Sequence, residues 1–415
     1  MSVSWNKKYD PIQVINKIES ARKIGSDGKV QFAGWGFQEY VTVIFSMLDF
    51  PEDIPEVDAR GLVSKAMFNS GAKGEITTKS LISEVNKLEQ KYESAPIEKY
   101  ILATSISINT SSKLKRITFD NTSIVFESSL PAKFQQEINK LSKDTEEALF
   151  ASLPTNYLSV KVHTSAKSIG HAANQALDTL DFTRGIWNWV LNMQHSIRMS
   201  IGGKPKPVNN IILGPLHTLH KPNGELAVKD LWWYEPSYLG AVLPFSFQQD
   251  ELEAVYNAFS YVKRILKTHK YPQVIQNALI RYTRALDERI WATAFTKLWS
   301  ILELLTDTGR ANYDTTIERI AFLYKEPDYH MQVLQHLREY RNSSIHLDKS
   351  SSEMETYLYQ IKKYVEALID FHLSKKYRFE SIQDAAGFLS LPHEDKTLKN
   401  QIDKRNLARK FRGHK

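Results

Sequence analysis

Residues 295–305 read FTKLWSILELL, with Phe295, Leu298, Trp299, Leu302 and Leu305 recurring three or four apart. That period winds all five onto one side of an α-helix, and so apolar a stripe has to be covered by another element. A second stripe of the same period follows at Met354, Tyr357, Leu358, Ile361, Val365, Leu368 and Phe371. Two such faces in one stretch pack on each other, so residues 246–376 are expected to form an all-α bundle. Glu303 lies inside the first stripe. A carboxylate among apolar neighbours either faces solvent or takes a partner, and Arg338 or Arg341 would serve.

Outward from the bundle the period changes. Residues 100–108, 115–119 and 123–126 are β-branched and aromatic runs, with Asp120 and Asn121 placed for a turn. Residues 157–162 alternate in the same way, and a long amphipathic helix is expected over about 168–193. Residues 209–213 and 226–234 flank Pro222-Asn223-Gly224, a hairpin turn signal because Asn and Gly tolerate positive φ. Residues 96–245 therefore read as an α+β domain. Residues 1–95 read as mainly helical, for example at Leu81, Ile82, Val85 and Leu88. The expected class is α+β: mixed N-terminal and middle regions, then the helical bundle, then a basic C-terminal tail over 377–415.

The 415 residues suffice for two or three domains, and 42% apolar with 24% charged content is ordinary for globular chains. There is no cysteine, which excludes disulfides, zinc–thiolate sites, iron–sulfur clusters and thiol nucleophiles. The opening MSVSWNKKYD lacks the apolar stretch of a secretory signal. The apolar run at 40–50 is about half the roughly 20 residues needed to cross a bilayer. A cytoplasmic protein without a membrane anchor is expected. Its net charge of +7 favours polyanionic partners. The excess is local, since residues 396–415 hold eight Lys or Arg against one acid, Asp403.

The chemistry concentrates at residues 337–346, LREYRNSSIH. Ten residues hold Arg338, Arg341, Asn342, Ser343, Ser344 and His346. Histidine titrates near neutral pH and can move a proton, while arginine presents a fixed fork of donors to phosphate oxygens. Together they suffice to cleave RNA without metal or cofactor. A base takes the proton of a ribose 2′-OH, an acid protonates the leaving oxygen, and a cation stabilises the phosphorane. On one helix Asn342 and His346 lie about 40° apart and Arg341 and His346 about 140° apart. So sparse a set would be completed by a second copy across a two-fold axis.

Arg-Asn with His at the sixth position, late in a helical bundle, resembles the R-x(4–6)-H signature of the HEPN (higher eukaryote and prokaryote nucleotide-binding) superfamily ribonucleases. YTRALD at 282–287, FTKLWSILELL at 295–305, IERIAFL at 317–323 and the 337–346 segment follow the order of a branch found in bacterial anti-phage defence proteins. The resemblance covers roughly residues 250–375, and residues 1–245 resemble no family. It implies Arg341 and His346 as catalytic, Asn342 as the polar residue after the arginine, and Glu303 as an orienter. Arg338, Ser343 and Ser344 are candidate substrate contacts. It further implies a metal-independent endoribonuclease acting as a homodimer or higher even oligomer and leaving 2′,3′-cyclic phosphates. Many members are toxins or abortive-infection effectors, so a phage-derived trigger or regulatory partner on the N-terminal regions is expected.

The alternative is a non-catalytic RNA- or nucleotide-binding or dimerisation module of a defence or toxin–antitoxin system. The bare pattern recurs at Arg264–His269 and Arg409–His414, neither with Asn after the arginine. The basic tail reads as a solvated segment or as one that holds RNA. His217 and His220, three apart in a strand, would face opposite sides and so not chelate a metal together. Trp232-Trp233-Tyr234 could stack on bases or pack a hairpin on the core.

Overall fold

The computed structural model describes residues 2–415 except 27–28, 33–35, 145–152, 155, 194–206, 230–231, 236–237, 239–241, 310–311, 347–352 and 414–415. Of residues 142–144 and 343–346 it describes the backbone only. Among the described residues fourteen helices and three sheets form, which makes the protein α+β. The chain divides into two compact units. One comprises Met1–Leu102, His163–Ala176 and Leu219–Leu231, and the other Ala103–Val162, Leu177–Thr218 and Trp232–Lys415.

The first unit begins with β1 (Ser4–Trp5), α1 (Ile12–Ala21), β2 (Arg22–Ile24), β3 (Val30–Phe32), α2 (Phe37–Ser46), β4 (Leu48–Asp49), α3 (Glu56–Lys73) and α4 (Thr78–Glu93). β1 pairs antiparallel with β4, and β2 with β3. One face of each helix feeds a core of Ile15, Ile18, Val41, Ile44, Val63, Met67, Leu81 and Val85. At the start of α4 the Thr77 and Ser80 side chains each accept the other's backbone N–H, satisfying donors that a first turn leaves open.

The chain continues through β5 (Glu98–Asn109), β6 (Ile117–Phe119), β7 (Thr122–Glu127), α5 (Ala132–Asp144), β8 (Tyr157–Ala166), α6 (Ile169–Met193), β9 (Leu216–His220) and β10 (Trp232–Tyr234). The strands form a sheet of order β10-β9-β5-β8-β7-β6, with β6–β7 and β9–β10 antiparallel. Asp120 takes φ +47 in the β6–β7 turn and Gly224 takes φ +88 after β9, both at the expected turns. The strand before that second turn is Leu216–His220, whereas residues 209–213 make only an isolated bridge, Ile106 to Leu213. Side chains take up much of their backbone instead. Ser107 Oγ donates to Asn210 O and accepts from Ile212 N at 2.8 and 2.9 Å. Ile211 O accepts from Arg184 and Asn188, both at 2.9 Å. Such bonds compete with a ladder.

Downstream lie α7 (Gln249–Leu266), α8 (Pro272–Leu286), α9 (Trp291–Leu305), α10 (Tyr313–Ala321), α11 (Pro327–His346), α12 (Met354–Leu373), α13 (Ile382–Leu389) and α14 (Asp395–Phe411). α9 packs against α8 and α12, and all five residues of its apolar stripe are buried. On α12 the stripe is buried too, with Tyr357 at its margin. The stretch expected as a tail contains two helices. α13 buries Ile382, Ala385, Ala386 and Leu389, a helical spacing of three and four, and its Phe388 ring meets Phe371 and Phe322. α14 buries nothing. Among the described residues no helix is long and apolar enough to cross a membrane.

Candidate functional site

α11 opens on Pro327, whose missing N–H is no loss in a first turn. It buries Leu334 and Leu337 along one side, and Arg341, four residues on, follows on that side. The half-buried guanidinium is gripped there by aromatic rings. Its Nη1 donates to the Tyr313 hydroxyl at 2.6 Å. The guanidinium carbon lies 4.9 Å from the Tyr313 ring centre and 6.0 Å from that of Trp299. Rings at these distances attract the cation through their quadrupoles. The two rings meet edge-on, 6.2 Å apart. On the adjoining side Tyr340 packs its ring against Phe295 at 5.3 Å and Tyr357 at 4.8 Å, which fixes the rotation of α11.

Glu303 accepts the Trp299 indole N–H at 3.1 Å, so it bears on Arg341 through the tryptophan. Arg338 forms an ion pair with Asp314. Asn342 is exposed. The backbone stays helical as far as His346, which sets position 346 about 40° round from 342. The side chains of Ser343, Ser344 and His346 lie outside the described residues.

The loop from α9 to α10 borders a cleft of about 400 Å³, lined by Asp307, Thr308, Gly309, Asn312, Thr315 and Arg319. Small-ligand sites are of this size. Asn312 caps α10 by accepting the Thr315 N–H. Tyr313 and Asp314, which hold Arg341 and Arg338, therefore stand between two residues of the cleft wall. Arg319 shapes the other side, donating to the Thr306 carbonyl and to Ser390 Oγ. Nothing in the sequence marks this cleft, because its residues are ordinary loop and helix-start residues until the chain is folded.

A buried polar cluster was also missed. α6 carries Asp181, Arg184, Asn188 and Asn192 at spacings of three, four and four, and all four are buried. Arg184 pairs with Asp181 and with Asp287, the latter at 3.0 Å. Asn209 donates to Asp287 at 2.7 Å, and Asn192 donates to Asn209 at 2.9 Å. From Asn192 the contacts continue to Tyr282, Glu366 and Lys362. Burial works to raise the Asp181 carboxyl, but Arg184 and Arg284 beside it hold it below the ordinary carboxylate value. Closed to solvent and paired charge to charge, this cluster ties α6, α8 and α12 together rather than acting on a substrate. Its signal was a polar stripe of helical period inside an otherwise apolar helix.

The other candidates separate. His217 Nδ1 is 2.7 Å from Thr104 Oγ1, and His220 Nδ1 is 2.8 Å from Gly224 O. Among the described residues no group of three His, Asp or Glu is arranged to hold a metal ion. The Arg264–His269 pattern spans the end of α7 at Leu266, and the Tyr271 N–H donates to His269 Nδ1. α14 ends at Phe411, and His414 lies outside the described residues. Trp232, Trp233 and Tyr234 form a half-buried edge strand. Comparison with known proteins finds no family model that matches this chain, no similar curated protein and no similar solved structure.

Proposed function

We propose that this chain is a metal-independent endoribonuclease of the HEPN type, with Arg341 and His346 as its catalytic residues. The observation that carries the reading is the seating of Arg341 between Tyr313 and Trp299, on the helix that runs on to His346. Both rings restrict the guanidinium, so less ordering remains when it meets a phosphate, and charge stabilisation by a preorganised donor is strong.

The step is an internal transfer. The ribose 2′-oxygen attacks phosphorus as His346, here or in a second copy, takes its proton. The bond from phosphorus to the 5′-oxygen breaks, and that oxygen takes a proton from water as it leaves, while the proton held by His346 returns to solvent. Arg341 offsets the negative charge on the phosphorane between these events. One product ends in a 2′,3′-cyclic phosphate and the other begins with a 5′-hydroxyl. The Asp314 ion pair of Arg338 would have to open before that arginine could contact a substrate. A homodimer brings two copies of the sparse set together, and the regions before residue 246 restrain the nuclease until an infection signal arrives. The test is an RNA oligonucleotide digested in EDTA, with product ends read by mass spectrometry. Cyclic-phosphate ends support the reading, and 3′-hydroxyl ends with 5′-phosphates would sink it.

A further inference from the structure

The net charge of the whole molecule resides in its last twenty residues. Residues 396–415 carry eight Lys or Arg and one acid, a local excess equal to the +7 of the entire chain. Everything before them is balanced. α14 occupies most of that segment and buries no residue. Ile402, Leu407 and Phe411 are 56%, 65% and 88% exposed. Seventeen helical residues make a rod of about 25 Å. Arg405, Arg409 and Arg412 recur at four and three residues, so they share one face over about 10 Å.

We propose that α14 is a docking rod for the phosphate backbone of single-stranded RNA. The identity of the polyanion rests on the ribonuclease reading, while the rod itself rests on its charge and exposure. Arginine forks match phosphate oxygens, and a row of them along a rod fits a chain of phosphates. A membrane surface fits less well. Leu398 and Ile402 lie on the side of the helix opposite Leu407 and Phe411, so no continuous apolar face exists to enter a bilayer. The rod raises affinity for substrate and takes no part in the chemistry.

The test is the full chain with Arg405→Gln, Arg409→Gln and Arg412→Gln together, beside the wild type. None of the three is buried, and circular dichroism checks that the helix content is kept. The probe is a fluorescein-labelled 2′-O-methyl oligoribonucleotide, which lacks the attacking hydroxyl and so reports binding alone. Its affinity is read by anisotropy between 50 and 200 mM salt. Losing three phosphate contacts lowers the salt slope by about 2, so over that range the wild type loses roughly 16-fold more affinity than the variant. At low salt the variant binds more weakly. Equal affinity and equal slope would overturn the proposal. So would a variant that loses binding only to phosphatidylserine vesicles and keeps its RNA affinity. A protein that cuts no RNA yet shows the slope change retains the rod and loses the nuclease. One that cuts RNA with unchanged slope retains the nuclease and loses the rod.

Discussion

Tyr313 accepts a hydrogen bond from Arg341 and presents it a ring face, and the two roles can be separated. Tyr313→Phe removes the hydroxyl and leaves the ring. A hydrogen bond to a charged group is worth about 1.5–3 kcal/mol, so we expect a fall in kcat of roughly tenfold or more, with KM nearly unchanged. Equal losses in Tyr313→Phe and Tyr313→Ala would put the contribution in the hydroxyl alone, and no loss in either would remove Tyr313 from the site. Arg341 was legible in the sequence because Arg-Asn with a following His is a local pattern. Tyr313 and Trp299 were not, since they lie on two other helices and only folding brings them to Arg341. For Glu303 the sequence leaves open a solvent-facing position or a pairing with Arg338 or Arg341, and the half-buried carboxylate instead accepts the indole N–H of Trp299, one helical turn away. At the same scale, burial pushes His372 and His217 down to about 4. Both fold neutral and would be protonated first in the unfolded chain. Their stabilisation is complete above pH 6.5 and is lost as pH falls from there to about 4, by up to about 1.4 kcal/mol per pH unit for each. His372→Gln should flatten the pH dependence of the urea midpoint in that window, and an unchanged dependence would contradict the assignment.

Among the elements, helical period was the most readable signal. The stripes on α9 and α12 are buried where the spacing placed them, because burial of an apolar face is decided by each helix's own sequence. The segment 209–213 misled for a tertiary reason: side chains of Ser107, Arg184 and Asn188 take backbone groups that a strand would have used. α13 went unnoticed because eight residues give barely two turns of period. The buried cluster on α6 predicts a large effect from one change. Arg184→Leu removes the cation that Asp287 faces and leaves a buried carboxylate uncompensated, while Asp181 keeps Arg284 at 2.6 Å. We expect a loss of about 3–5 kcal/mol of stability, measured by urea or thermal unfolding. A change below about 1 kcal/mol would mean the pair is not closed to water. Gly185, next in the chain, has its own constraint. A Cβ there would lie 2.5 Å from the Leu279 carbonyl oxygen, so α6 and α8 approach through a glycine.

On the scale of the molecule, the α+β class and the helical character of the C-terminal third were legible, and the interleaving of the two units was not. Segments 163–176 and 219–231 join the first unit from far along the chain, a long-range arrangement that no local period records. The proposed activity belongs to the helical part, with α14 as its RNA rod and the earlier regions as its restraint. A site built from two copies predicts an even oligomer in solution, readable by light scattering after size exclusion. The most direct measurement is digestion of total cellular RNA by the purified full chain in EDTA, beside Arg341→Ala and His346→Ala. The account predicts cleavage by the wild type, with cyclic-phosphate ends, and loss of at least 100-fold in each variant, as expected when a proton-transfer or charge-stabilising group is removed. Full cleavage by His346→Ala, or cleavage by all three proteins alike, would contradict it.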